Sequence, residues 1–153
     1  MGAKTSMKHK LLNRFIQRCI ELDPEIPDCY ICYRRLPAAV PCQVRKIGVC
    51  PVPILVMNKT YMEGEKDYNI LKSYVLHEIG HMVHRDIDVS RPSGACEARA
   101  QSWAIAFAIR KLMNEDIAGI LIDLAKTWMD LPKTKNNKIY IRASKILQKG
   151  WNT

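Results

Sequence analysis

From Met7 to Leu22, apolar residues recur every three or four positions (Leu11, Leu12, Phe15, Ile16, Cys19 and Leu22), with polar and charged side chains between them. That period collects them on one face of an amphipathic helix, which Pro24 and Pro27 end. The pattern then changes to short β-like runs at residues 30–33, 44–50 and 54–57, separated by Pro37, Pro41, Pro51 and Pro53. Proline lacks the N–H a ladder needs, so the pattern predicts a small sheet of short or edge strands. The run 54–57 has two readings. At a sheet edge it could pair with an extended peptide, and in the middle of the sheet it would be core.

From residue 68 the helical period returns. Leu71, Val75, Ile79 and Met82 mark one side, while Ile70 and Tyr74 continue another, so this helix is apolar nearly all round and is expected to be buried. Asp67 is its expected N-cap, and it should stop near Arg85, where a loop ending in Arg91-Pro92-Ser93-Gly94 follows. A second helix is predicted over 95–113 with Ser93 as N-cap. A third follows Asn114, over 115–129, with Ile117, Ile120, Leu121, Leu124 and Trp128 as its apolar stripe. Pro132 stops it, and a short final helix is expected over 139–149. Strands grouped together and then helices indicate an α+β fold, and a chain of 153 residues suits a single domain over 1–153.

Composition adds exclusions. Hydrophobic residues at 48% and charged residues at 25% are ordinary for a globular chain and exclude extensive disorder. No apolar run reaches transmembrane length, and the N-terminal segment lacks the apolar core and cleavage site of a signal peptide, so a cytoplasmic protein is expected, with no membrane partner. The net charge of +9 is uneven. Lys4, Lys8, Lys10, Arg14 and Arg18 precede the first acid, and Asp130 is the only acid from Lys126 to Lys149. Solvated helix faces are the simpler reading; weak nucleic-acid association through the basic termini is the sharper one. Without a secretory signal, the six cysteines read as reduced thiols or metal ligands. Cys29 and Cys32 have zinc-knuckle spacing that Cys42 and Cys50 would have to complete, and buried free thiols are the alternative.

The strongest chemistry lies in His77-Glu78-Ile79-Gly80-His81. Histidines at i and i+4 project from one helix face, so both imidazoles can reach one metal ion. Glu78 stands beside them, in the H-E-x-x-H arrangement that binds Zn²⁺ and places a glutamate to take a proton from the water the ion activates. Buried imidazoles beside a buried carboxylate are costly unless paired, and a metal pairs them. Gly80 weakens a helix by about 1 kcal/mol relative to Ala, which makes sense where another element must approach the backbone closely.

An open catalytic zinc site needs a third protein ligand. His84 lies about 10 Å along the axis from His77 at 1.5 Å per residue, too far to share an ion, and reads as a packing or supporting histidine. Glu97 is the better candidate. Gln101 shares its face and can orient a ligand histidine, while Ala100, Ala104 and Ala108 form a small-residue ridge that lets this helix approach the motif helix. Asp86, Asp88 and Cys96 are rival ligands. For the donor that would steady an oxyanion, Tyr61, Tyr68, His84 and Arg99 all remain open.

His77-Glu78-x-Gly80-His81 followed by Glu97-x-x-Ala100-Gln101-x-Trp103-Ala104 resembles the ImmA/IrrE group of small cytoplasmic zincins, over roughly residues 54–113. The resemblance implies a minimal zincin fold with a small mixed sheet packed against the motif helix. It also implies zinc held by His77, His81 and Glu97, Glu78 as catalytic acid/base, and a regulatory protein substrate such as a helix-turn-helix repressor. Gln101 stands where that group usually has Asn, and the cysteine-bearing segment before Val44 has no counterpart in it. The expected function is a zinc-dependent endopeptidase. The alternatives are a non-catalytic metal-stabilised regulatory protein and a DNA-associated protease, although SprT-like enzymes, which the latter would resemble, usually supply a third histidine.

Overall fold

The computed structural model describes residues 7–46, 52–85 and 93–151. Helix α1 (Met7–Leu22) buries Leu12, Phe15, Ile16 and Cys19, the face its period predicts. Three short strands follow, β1 (Tyr30–Arg34), β2 (Cys42–Arg45) and β3 (Ile54–Asn58). They form one mixed sheet in the order β1-β3-β2, with β1 parallel and β2 antiparallel to β3. The expected strand at 44–50 is shifted: it begins at Cys42, and residues 47–51 lie outside the described segments.

The strand at 54–57 is the centre of the sheet and not its edge. Leu55 and Met57 are fully buried, and both sides of β3 are paired. Pairing with β1, more than twenty residues upstream, is what fills the side that the local pattern left open. The edge nearest the motif helix is β2. Its approach is fixed by Asn58, whose N–H donates to Pro41 O and whose Nδ2 donates to the Val40 and Pro37 carbonyls, at 2.8 and 3.2 Å. One buried amide thus holds the turn between β1 and β2.

A short helix α2 (Lys59–Gly64) leads to α3 (Tyr68–Val83), whose N-cap Asp67 accepts the Asn69 N–H as expected. Leu71, Val75, Leu76, Ile79 and Met82 are buried against α1 and the sheet, each burial contributing about 1.5–3 kcal/mol before entropy is counted. Arg85, with φ of 56°, turns the chain out of the helix.

Helix α4 (Gly94–Lys111) starts at Ser93, which accepts the Cys96 N–H. It lies against α3 because neither helix carries bulk at the crossing: a Cβ on Gly80 would sit 2.5 Å from the Ala100 carbonyl oxygen. Ala100, Ala104 and Ala108 are buried along that ridge. Helix α5 (Ala118–Thr127) begins later than residue 115. Glu115 stays in the preceding turn, where its carboxylate meets Arg18 and Lys72, each at 2.6 Å. One 3₁₀ turn (Trp128–Asp130) follows, and α6 (Lys138–Trp151) then packs Ala143 and Leu147 onto Ala98 and Ala125. Among the described residues, no helix is long and apolar enough to cross a membrane.

The result is an α+β fold in which the sheet packs against helices. One helix carries the histidine pair, and its neighbour carries the glutamate.

Candidate metal centre

The Gly80–Ala100 contact brings the first turn of α4 beside the last turns of α3, and three side chains meet there. Glu97 Oε2 lies 2.6 Å from His77 Nε2 and 3.0 Å from His81 Nε2, and the two Nε2 atoms are 3.2 Å apart. Among the described residues, His77, His81 and Glu97 are the group whose ligand atoms lie close enough together to hold a metal ion, all within 4.8 Å of one another.

The protonation pattern favours a cation at their centre. Gln101 Nε2 donates to the Leu121 carbonyl at 2.7 Å, which turns the amide oxygen toward His77 Nδ1, also at 2.7 Å. His77 Nδ1 therefore carries the hydrogen, and Nε2 presents its lone pair to Glu97. Acceptors facing one another at these distances need a proton or a metal ion between them. A tetrahedral zinc with bonds of about 2.0–2.1 Å sets its ligands about 3.3 Å apart, close to the spacing of the imidazole pair. Two imidazole nitrogens and a carboxylate oxygen are a donor set that fits the ion, with the 2.6 Å Glu97–His77 contact the one that has to lengthen to admit it. Their side chains keep 10–13% of their surface exposed, so the site reaches solvent on one side. In the metal-free chain, burial pushes the Glu97 carboxyl up. With a proton in place of an ion on these contacts, the hydrogen bonds and coulombic pull of His77 and His81 outweigh that and bring it down to about 2.

Glu78 reaches β2 while lining the same cavity as His77. Its carboxylate accepts the Val44 backbone N–H, and burial raises its pKa against the pull of His77 and His81. Val44 can donate because of the β2 register. Pro41 and Asn58 form a hydrogen-bonded pair, so alternation along an antiparallel ladder turns the N–H and C=O groups of Cys42 and Val44 away from β3.

Beside His77 and Glu78 lies a cavity of about 430 Å³. Trp128 packs edge-on against the His77 ring, with centroids 5.9 Å apart, and Tyr140 lies 5.3 Å from Trp128. The Tyr140 hydroxyl is pushed to a higher pKa by burial and by Glu97 and Glu78, so it stays a neutral donor.

Of the four oxyanion candidates, only Tyr61 lines this cavity, where its hydroxyl is 3.2 Å from that of Tyr74. Tyr68 instead donates to the Leu11 carbonyl, His84 is an exposed helix cap, and Arg99 donates to Cys96 Sγ. Tyr140 was not anticipated. In the sequence it is one apolar position of a distant amphipathic helix, and nothing local ties it to the motif. Trp128 was legible only as part of the α5 stripe. Of the rival ligands, Cys96 lies outside the triad, and Asp86 and Asp88 fall outside the described residues.

Among the described residues, Cys32 and Cys42 do not come together. Cys32 is in register with Val56 and Cys42 with Met57, adjacent positions of β3 that face opposite sides of the sheet. The two thiols are also separated by two strand spacings, about 9.5 Å, so they cannot share an ion. The site that Cys29, Cys32, Cys42 and Cys50 might have formed is therefore not assembled, and Cys50 lies outside the described residues.

Comparison of the chain with protein-family models, with curated proteins and with solved structures gives no match. What stands on geometry alone is a buried His77/His81/Glu97 triad, able to hold a metal ion, in a zincin-like arrangement of helix and sheet.

Proposed function

We propose that the protein is a zinc-dependent endopeptidase that hydrolyses a peptide bond in a protein substrate. The observation that carries this reading is the convergence of two imidazoles and a carboxylate, with Glu78 adjacent and a cavity alongside. Zn²⁺ bound by His77, His81 and Glu97 would polarise the peptide carbonyl and lower the pKa of a coordinated water to about 7. Glu78, held by Val44 and raised in pKa by its burial, is the base that takes the water proton and passes it to the leaving amine. Tyr140 or Tyr61 supplies a neutral O–H to the developing oxyanion. With the Val44 N–H held by Glu78, the outward Val44 carbonyl and the outward N–H and C=O of Cys42 are what β2 offers an extended peptide to pair with, the role β3 cannot fill.

The resemblance to small regulatory zincins makes a repressor-like protein the favoured substrate. Nucleic-acid association is the weaker proposal, since the N-terminal cations are partly engaged: Lys8 donates to the Glu63 and Glu65 carbonyls, and Arg18 pairs with Glu115.

The alternative, a metal-stabilised protein without catalysis, gains from the fact that Glu78 has a structural partner in Val44. Glu78→Gln separates the two readings. The amide oxygen can still accept the Val44 N–H, so fold and zinc content should be retained while hydrolysis falls at least a hundredfold. Undiminished cleavage by Glu78→Gln would remove Glu78 from the mechanism.

A further inference from the structure

The cavity beside His77 and Glu78 has a chemistry of its own. It extends from the ion site back along α3 as far as Ser73, between the turn that carries Val40 and the stretch from the end of α5 through the 3₁₀ turn that carries Leu124, Trp128 and Leu131. His81 and Glu97 do not line it, so it opens to one side of the metal centre and does not surround it. Its volume of about 430 Å³ lies near the lower end of the roughly 300–1,000 Å³ found for small-ligand sites. That is room for one large side chain.

The walls decide which kind. Apart from Glu78 and the imidazole, no charged residue among those described lines the cavity. Besides the neutral hydroxyls of Tyr61, Tyr74 and Tyr140, the polar side chains that line it are engaged: Ser73 Oγ donates to the Ile70 carbonyl, Thr127 Oγ1 to Leu124 O, and Asn137 Nδ2 to Pro132 O. The Gln101 amide is committed at both ends, to His77 and Leu121. A charged side chain entering here would lose water and find no partner of opposite charge away from the reacting centre. An apolar one would meet Val40, Leu124 and Leu131, and an aromatic one could also pack against Tyr74 and Trp128.

We infer that this cavity is the selectivity pocket of the enzyme, and that it selects substrates with a bulky apolar, preferably aromatic, side chain next to the scissile peptide bond. The inference rests on the endopeptidase reading and adds a substrate class to it.

The test uses binding as well as turnover. Hydroxamates of one peptide scaffold, differing only in a benzyl, methyl, aminobutyl or carboxyethyl side chain next to the chelating group, are titrated into zinc-loaded protein by calorimetry. The benzyl compound should bind at least tenfold more tightly than each of the other three, within the range a hydrophobic pocket gives for differences of this size. Leu124→Trp, which fills the pocket, should reduce that advantage to less than threefold while zinc content and the methyl compound's affinity are kept. Thr127→Trp, at an exposed rim position, tests the same point without disturbing the core. In cleavage of a peptide library, the wild-type protein should show the same side-chain order.

Equal affinities across the series, or an unchanged benzyl advantage in the folded variants, would overturn the pocket and leave the endopeptidase reading intact. A zinc-loaded protein that prefers the benzyl compound but cleaves no peptide would refute the endopeptidase reading, and with it the pocket's role in substrate choice. A protein that binds no zinc would overturn both.

Discussion

Helix α3 carries two polar clusters that meet the cost of burial in different ways. Lys72, only 4% exposed, places its ammonium 2.6 Å from Glu115 and 4.4 Å from the centre of the Tyr68 ring, while Arg18 takes the other carboxylate oxygen. Every charge there has a partner within the chain, and the cluster ties α1 and α3 to the turn before α5. Around His77 the balance is different. Two imidazole nitrogens and a carboxylate oxygen converge on one point, and among the described residues no lysine or arginine pairs with that carboxylate. A charge network that closes on itself is architecture; three donor atoms gathered at one point are able to hold an ion.

The contrast can be broken first at Glu115. Glu115→Ala leaves the Lys72 ammonium buried without its partner and should lower unfolding free energy by about 3 kcal/mol, at the lower end of the range for a fully buried pair because Glu115 is partly exposed. Lys72→Met, which removes the charge and keeps the bulk, should cost less than about 1 kcal/mol. Chemical denaturation measures both, and zinc stoichiometry should be unchanged in each. Loss of zinc in Glu115→Ala at temperatures where the protein remains folded would mean that the two clusters are one system.

Gly80→Ala sharpens the comparison by the sign of its effect. Helix propensity alone would make the substitution stabilising by about 1 kcal/mol. The 2.5 Å approach of the Ala100 carbonyl would force α4 away from α3, so a net loss of about 2 kcal/mol is expected, with weaker zinc binding because Glu97 moves with α4. Stabilisation would show that the helices tolerate separation. The smallest effect belongs to Gln101→Ala. It frees the His77 ring without touching a ligand, and should weaken zinc affinity about 10–100-fold in a chelator competition while one ion still binds at saturation.

Those features of the site that depend on one helix, or on two helices meeting through small residues, were legible in the sequence. His77 and His81 share a face because the helical period makes them do so. Glu97 and Gln101 followed from an alanine ridge that had to pack against something, and Gly80 marked where. What the sequence left open depends on strand order and on distant chain segments. Residues 54–57 read equally well as edge or core until β1 is known to pair alongside. Cys32 and Cys42 have spacings that admit a shared ion, yet the register with β3 turns them to opposite faces. Trp128 and Tyr140 reach the cleft only because α5 and α6 fold back over it, a consequence of packing between Ala98, Ala125, Ala143 and Leu147 that no local pattern announces.

Metal analysis of purified wild-type protein, His81→Ala and Glu97→Ala tests the central claim most directly. Wild type should hold one zinc per chain, and each variant, folded by circular dichroism, should hold none. Zinc retained at full stoichiometry in Glu97→Ala would contradict the convergence of α3 and α4 on a single ion.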